Sequence, residues 1–154
     1  MPDFAVHRLG PADLVGMRGL NAMFASAFEA PEHYQAAPPP DDYLREMLGR
    51  DHVIVLVANE GDIVIGGLVA YELDKLEQAR REIYIYDLAV EADHRRRGVA
   101  TGLISRLKEI AAERGAYVIY VQADYGDDPA VALYEGLGVR EDVMHFDIPV
   151  PPRG

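Results

Sequence analysis

The chain of 154 residues has no cysteine. Its absence excludes disulfides and a catalytic thiolate and removes the softest metal ligands. No stretch of ~18 apolar residues occurs, so no membrane-spanning helix is expected. Positive charge is scarce: 15 Lys and Arg stand against 26 Asp and Glu, a formal net charge of −11. Such a field repels phosphate backbones and argues against nucleic acid as a partner. It attracts polycations, and it equally serves plain solubility. The five histidines, His7, His33, His52, His94 and His145, lack the paired spacing of a metal-ligand set, and no metal is expected. Met1–Arg8 has neither an apolar stretch nor a cleavage pattern, so no secretory leader is read and a cytoplasmic location is expected.

What is present is 49% apolar residues, enough for a buried core in one domain over residues 1–154, with 149–154 as a loose tail. Phe4–Leu9 reads as a short strand. Gly10-Pro11 opens a helix through Phe28, with Met17, Leu20, Phe24 and Phe28 on one face, although Gly16 and Gly19 weaken it. After Pro38-Pro39-Pro40, Asp41 or Asp42 caps a helix ending at Leu48. Val53–Ala58 and Ile63–Leu73 form a hairpin around Asn59–Asp62. Gly66-Gly67 inside its second strand implies a bulge or a close backbone approach. Glu82–Val90 is a strand, Gly98–Arg114 an amphipathic helix stopped by Gly115, and Tyr117–Val121 the next strand. Pro129 starts a helix that Gly138 ends, and Val143–Ile148 is a final strand. This mixed order gives an α/β or α+β domain.

The segment Arg95-Arg96-Arg97-Gly98-Val99-Ala100-Thr101 joins a buried strand to a helix. The first N–H groups of a helix are unpaired and sit at the positive end of its dipole. Gly98 lets a ligand approach the backbone, and three arginines at a helix start call for an anion, unless nearby acids neutralise them. Arg95-x-x-Gly98-x-Ala100 resembles the pyrophosphate turn of the GNAT acetyltransferase superfamily. Ala132-Leu133-Tyr134-Glu135-Gly136-Leu137-Gly138-Val139 resembles a second segment of that superfamily, in the right order. Ala100 stands where Gly is commoner, Val139 where an aromatic is usual, and Asp127 where Asn is frequent. Glu82–Val90, Gly115–Tyr134 and Met144–Ile148 further resemble the aminoglycoside 3-N-acetyltransferases of the gentamicin-resistance class. That likeness runs from Arg8 to Ile148 and is weaker over the first fifty residues, which help shape the substrate side.

The resemblance implies a GNAT fold, with a mixed sheet of six to seven strands and about four helices. It implies acetyl-CoA as donor, a polycationic aminoglycoside as acceptor, acetylation of the 3-amine of the 2-deoxystreptamine ring, and a homodimer. The donor would lie along Leu88, Ala89, Val90 and the turn from Arg95 to Thr101, with contributions from Asp127 and Tyr134. A bulge in the fourth strand would turn the Leu88 N–H toward the thioester carbonyl. Tyr134 matches the family's general acid; as an aromatic in Ala-Leu-Tyr it also reads as core.

The general base is open between Asp87, Asp124 and a water relay. Asp87 is a charge in an apolar strand, costly unless paired, used, or facing solvent at an edge. Glu82, Tyr86, Asp87, Asp124, Tyr125, Asp127, Asp128 and Asp147 are candidates for holding ammonium groups, and the 124–128 run is alternatively a solvated loop capped at Asp128. Other readings are an acetyltransferase for polyamines or a peptide N-terminus, and a silent acyl-CoA-binding regulator.

Overall fold

β-branched and apolar residues run almost unbroken through β2 (Val53–Glu60), as expected for a strand covered on both faces. It turns at Gly61, in the left-handed region at φ +62°, into β3 (Ile63–Asp74). In the computed structural model, which describes residues 3–153, this hairpin is the centre of a five-stranded sheet ordered β1-β2-β3-β4-β5. Its other strands are β1 (Ala5–Arg8), β4 (Arg81–Val90) and β5 (Ala116–Val121). The helices are α1 (Leu14–Ala27), α2 (Pro31–Tyr34), α3 (Asp41–Leu48), α4 (Val99–Glu113) and α5 (Asp128–Leu137). β1 to β4 pair antiparallel, and β5 runs parallel to β4 because α4 carries the chain back between them. The chain divides into two compact units, Met1–Gln122 and Ala123–Gly154.

In the first unit, side-chain parity sorts the core into two layers. Val53, Val55 and Val57 face α1 and α3, joining Leu20, Phe24, Leu44 and Leu48. Ile54, Leu56 and Ala58 point to the other face, where α4 packs and buries Leu103, Leu107 and Ile110. The Gly66-Gly67 pair meets both expectations. A Cβ on Gly67 would lie 2.3 Å from Leu20 Cδ1 and 2.8 Å from the Leu56 carbonyl oxygen, so glycine lets α1 settle onto the sheet. A register shift between Ala58 and Asn59 sits beside Gly66. Glu72 is the buried charge of this unit, held by Arg114 and, at 3.6 Å, by Arg81.

Several expectations are corrected. The helix expected from Gly10-Pro11 starts at Leu14, because Gly10 N donates to Asp13 Oδ2 at 2.7 Å and closes a turn first. The four-residue α2 was not anticipated. Among the described residues the sheet has five strands rather than six or seven, and the chain has five helices rather than about four. In the second unit Val143–Ile148 carries no strand; its period-two pattern is present, but a strand requires a hydrogen-bonding neighbour. The cap of α5 is Asp127, accepting from Ala130 N at 3.4 Å, one residue before Asp128.

Candidate active site

β4 is built so that its two halves differ. Arg81–Ile85 is flanked by β3 on one side and β5 on the other, whereas from Tyr86 onward only β3 is paired with it among the described residues. Glu91 N donates to Ile65 O on β3 at 2.8 Å. Alternation along the strand then turns the Ala89 N–H to β3 and the Leu88 and Val90 N–H groups to the open edge. Leu88 and Val90, three and five residues past the last β5 pair at Ile85, thus offer backbone donors that no neighbouring strand among the described residues takes up.

A bulge lies at the same place. Val69 opposes Asp87 while Ala70 opposes Ile85, so Tyr86 is the extra residue. Without it Asp87 would share parity with Ile83 and Ile85 and point into the α4 core. The bulge moves Asp87 to the opposite face, with Tyr71 and Tyr84. Tyr86 is 64% exposed and its ring meets those of Tyr71 and Tyr84 edge-on at 6.0 and 5.9 Å. Tyr34 from α2 donates its phenol to Asp87 Oδ1 at 3.1 Å. Asp87 is half-buried and forms no ion pair among the described residues. Burial pushes its carboxyl above the usual carboxylate range, and the Tyr34 hydrogen bond pulls the other way. Burial, then the Asp87 charge, raises the phenols of Tyr34 and Tyr71.

Beyond β4 a short 3-10 turn (Ala92–His94) leads to the start of α4. Gly98 is its N-cap at φ +79°, with no side-chain cap and open space where a Cβ would stand. The first helical bond runs from Gly102 N to Gly98 O, leaving the Val99, Ala100 and Thr101 N–H groups at the positive end of the helix. Arg96 itself takes φ +63°. Arg95 Nε donates to Val90 O at 3.3 Å and ties the turn to β4. Arg97 departs from the expected anion ligand: its guanidinium donates to Glu60 Oε2 at 2.7 Å, so its side chain neutralises an acid. Glu82 is likewise engaged, by the Tyr117 hydroxyl at 2.6 Å and Lys75 Nζ at 3.3 Å.

The second unit holds the remaining candidates. Tyr134 is half-buried on α5, its phenol raised by burial and then by the Asp127 charge. Asp124, Tyr125, Asp142, Met144 and His145 line an open concavity of about 450 Å³. Tyr125 donates to Asp142 Oδ1 at 3.1 Å, and Asp147 Oδ1 lies 2.8 Å from His145 Nε2. Asp124 and Asp128 have no side-chain partner among the described residues. Sequence reasoning missed Tyr34, Tyr71, Tyr84 and Asp142. Tyr34 stands 53 positions from Asp87, and no local pattern announces that pairing.

Residues 20–139 match the acetyltransferase (GNAT) family. The chain belongs to that family. It is 54% identical to the aminoglycoside acetyltransferase HMB0005 from an uncultured soil metagenomic sample, with a TM-score of 0.94 over 96% of this chain and 99% of that one. It is 29% identical to aminoglycoside acetyltransferase meta-AAC0020, also from an uncultured soil metagenomic sample and solved with sisomicin, with a TM-score of 0.89 over 96% and 97%. Among curated relatives, N-acetyltransferase 8B of Rattus norvegicus is 27% identical over 90 residues, 58% of this chain. This GNAT chain covers 40% of the length of that relative. Members of the family use acetyl-CoA as donor, and no helix among the described residues is long and apolar enough to cross a membrane.

Proposed function

We propose that this acetyltransferase moves the acetyl group of acetyl-CoA to the 3-amine of the 2-deoxystreptamine ring of an aminoglycoside, by direct attack without a covalent enzyme intermediate. The observation that carries the reading is Asp87: a half-buried carboxylate with a raised pKa and no cationic partner, beside an open strand edge. Such a group lacks a counter-ion, and a substrate ammonium supplies one. The likeness to two soil aminoglycoside acetyltransferases supports the acceptor class.

In this reading the Val99, Ala100 and Thr101 N–H groups, with Arg95 and Arg96, hold the pyrophosphate of the donor, and Arg97 contributes its backbone. Leu88, Ala89 and Val90 line the pantetheine, with the Leu88 N–H polarising the thioester carbonyl. Asp87 takes a proton from the acceptor ammonium, with Asp124 or a water relay as the alternatives, and Tyr134 protonates the departing thiolate. Tyr86, Asp124, Tyr125, Asp127 and Asp128 make the acceptor side anionic and aromatic, whereas Glu82 and Asp147 are already held by Tyr117 and Lys75 and by His145; Asp127 also reaches the donor. The protein works as a homodimer of a single catalytic domain in the cytoplasm; the exposed Met144, Phe146, Ile148 and Val150 are apolar surface that a second copy would cover.

Turnover of acetyl-CoA against a panel of aminoglycosides and polyamines tests this, with NMR of each product. Acetylation at the 3-amine, and sparing of drugs blocked there, is expected. Acetylation at a 6′- or 2′-amine would overturn the regiochemistry. Robust activity on spermidine with none on any aminoglycoside would replace the acceptor. Sedimentation equilibrium reads the oligomeric state directly.

A further inference from the structure

The connection between α1 and α3 carries a device that the acetyl-transfer roles above leave unused. α2 is a four-residue helix opened by Pro31, too short to hold its place by its own hydrogen bonds. Three aromatic rings hold it instead. Phe24 of α1 and Phe28, the residue that caps its C-terminal end one turn on, stack at 5.3 Å, and Tyr34 lies against both at 5.7 and 5.8 Å. Phe24 is fully buried, so the stack is anchored in the core under the sheet. Tyr34 also borders a small concavity of about 230 Å³ with Arg18, Asn21 and Gln35.

From this clasp the Tyr34 hydroxyl reaches Asp87 Oδ1. It is the hydrogen-bond donor of the Asp87 side chain among the described residues, and Oδ2 has none. The groups facing Asp87 are all neutral phenols: Tyr34 from α2, Tyr71 from β3, and Tyr84 and Tyr86 from β4, with Tyr43 of α3 behind Tyr71. A carboxylate free to rotate about its terminal torsion presents either oxygen and loses orientation. One fixed oxygen leaves the other as a defined acceptor.

We propose that Tyr34 is a positioning residue for acetyl transfer: clamped by Phe24 and Phe28, it fixes Oδ1 of Asp87 so that Oδ2 receives the proton of the acceptor ammonium. This rests on the reading of Asp87 as general base. The phenol donates to the charged form and so opposes the burial that raises Asp87. Removing the hydroxyl therefore makes the carboxylate harder to ionise, and the acid limb of activity moves to higher pH.

The test uses Tyr34→Phe, which keeps the ring in the stack. Full pH profiles of kcat and kcat/KM are measured for wild type, Tyr34→Phe, Asp87→Asn and the double variant, with acetyl-CoA affinity by calorimetry. The acid limb of Tyr34→Phe should move upward. Its kcat should fall roughly ten- to hundredfold with acetyl-CoA affinity unchanged, since misplacing a reacting group by about 1 Å has that effect. Adding Tyr34→Phe to Asp87→Asn should cost nothing more. Carboxyl NMR of Asp87, assigned by its loss in Asp87→Asn, should show the same upward move. An unmoved acid limb, or an equal loss with and without Asp87, would overturn the positioning role. Wild-type activity in Asp87→Asn would sink the base assignment as well, whereas dependence on Asp87 without dependence on Tyr34 sinks the clasp alone.

Discussion

Replacing Gly98 separates backbone strain from ligand contact. Its φ of +79° costs a side-chain-bearing residue about 1–2 kcal/mol, yet nothing lies within 4 Å of the position a Cβ would take. Gly98→Ala should therefore fold, with Tm lowered by roughly 2–8 °C, at about 2–4 °C per kcal/mol for a chain of this size. Gly98→Val adds a branched side chain where an anion must reach the N–H groups of Val99, Ala100 and Thr101. An anion at a helix N-terminus gains up to about 2 kcal/mol, so its loss raises the acetyl-CoA Kd roughly thirtyfold. Gly61 is the matched control, at φ +62° with equally open space, but in the β2–β3 turn. Gly61→Ala should lose similar stability and bind acetyl-CoA as wild type does. Calorimetry gives the affinities and thermal melts the stabilities. A folded Gly98→Val protein that binds acetyl-CoA within twofold of wild type refutes the assignment of the turn.

Tyr134→Phe should lower kcat by at least a hundredfold, the usual range for a lost acid being about 10²–10⁴, with acetyl-CoA affinity preserved; unchanged turnover would remove Tyr134 from the chemistry. Arg114→Ala strips the main partner of buried Glu72 and should cost about 3 kcal/mol in urea unfolding, the low end for a broken buried pair because Arg81 remains at 3.6 Å. Arg114 holds the folded-state pKa of Glu72 below its ordinary value, so this stabilisation is complete above about pH 4.3 and is lost as pH falls through the folded value; the gap between variant and wild type should shrink in acid. Asp124→Asn and Asp128→Asn should raise the aminoglycoside KM several-fold with kcat kept, as for binding lost equally from ground and transition states, while Glu82→Gln, whose carboxylate is already held by Tyr117 and Lys75, should change KM little.

The features legible in the sequence are those whose causes are local. The turn at Gly98 needs only a glycine between a strand and an amphipathic helix, and the structure has that glycine in the left-handed region with no side-chain cap. The β2–β3 hairpin, α3 and α4 follow from periodicity and caps within a few residues of the expected bounds. Features that depend on distant partners were not legible. The Val143–Ile148 alternation is real, but whether it becomes a strand is decided by a neighbour. Net charge counted Glu82, Arg97 and Asp147 alike as available, whereas Tyr117 and Lys75, Glu60, and His145 already engage them.

Asp87 lies between these cases. Its charge inside an apolar run marked it as functional or edge-facing, but simple alternation puts it beside Ile83 and Ile85, in the layer under α4. There a carboxylate has no partner, and burying it would cost several kcal/mol. One extra residue, Tyr86, resolves the conflict by shifting the register and turning Asp87 to the tyrosine face. The same bulge lies where β4 loses its β5 neighbour, so the side chain is re-aimed where Leu88 and Val90 present their free N–H groups. A strand that kept strict register would preserve the sheet and lose this juxtaposition. The bulge is thus the local structure on which the proposed proton transfer and the proposed carbonyl polarisation both depend.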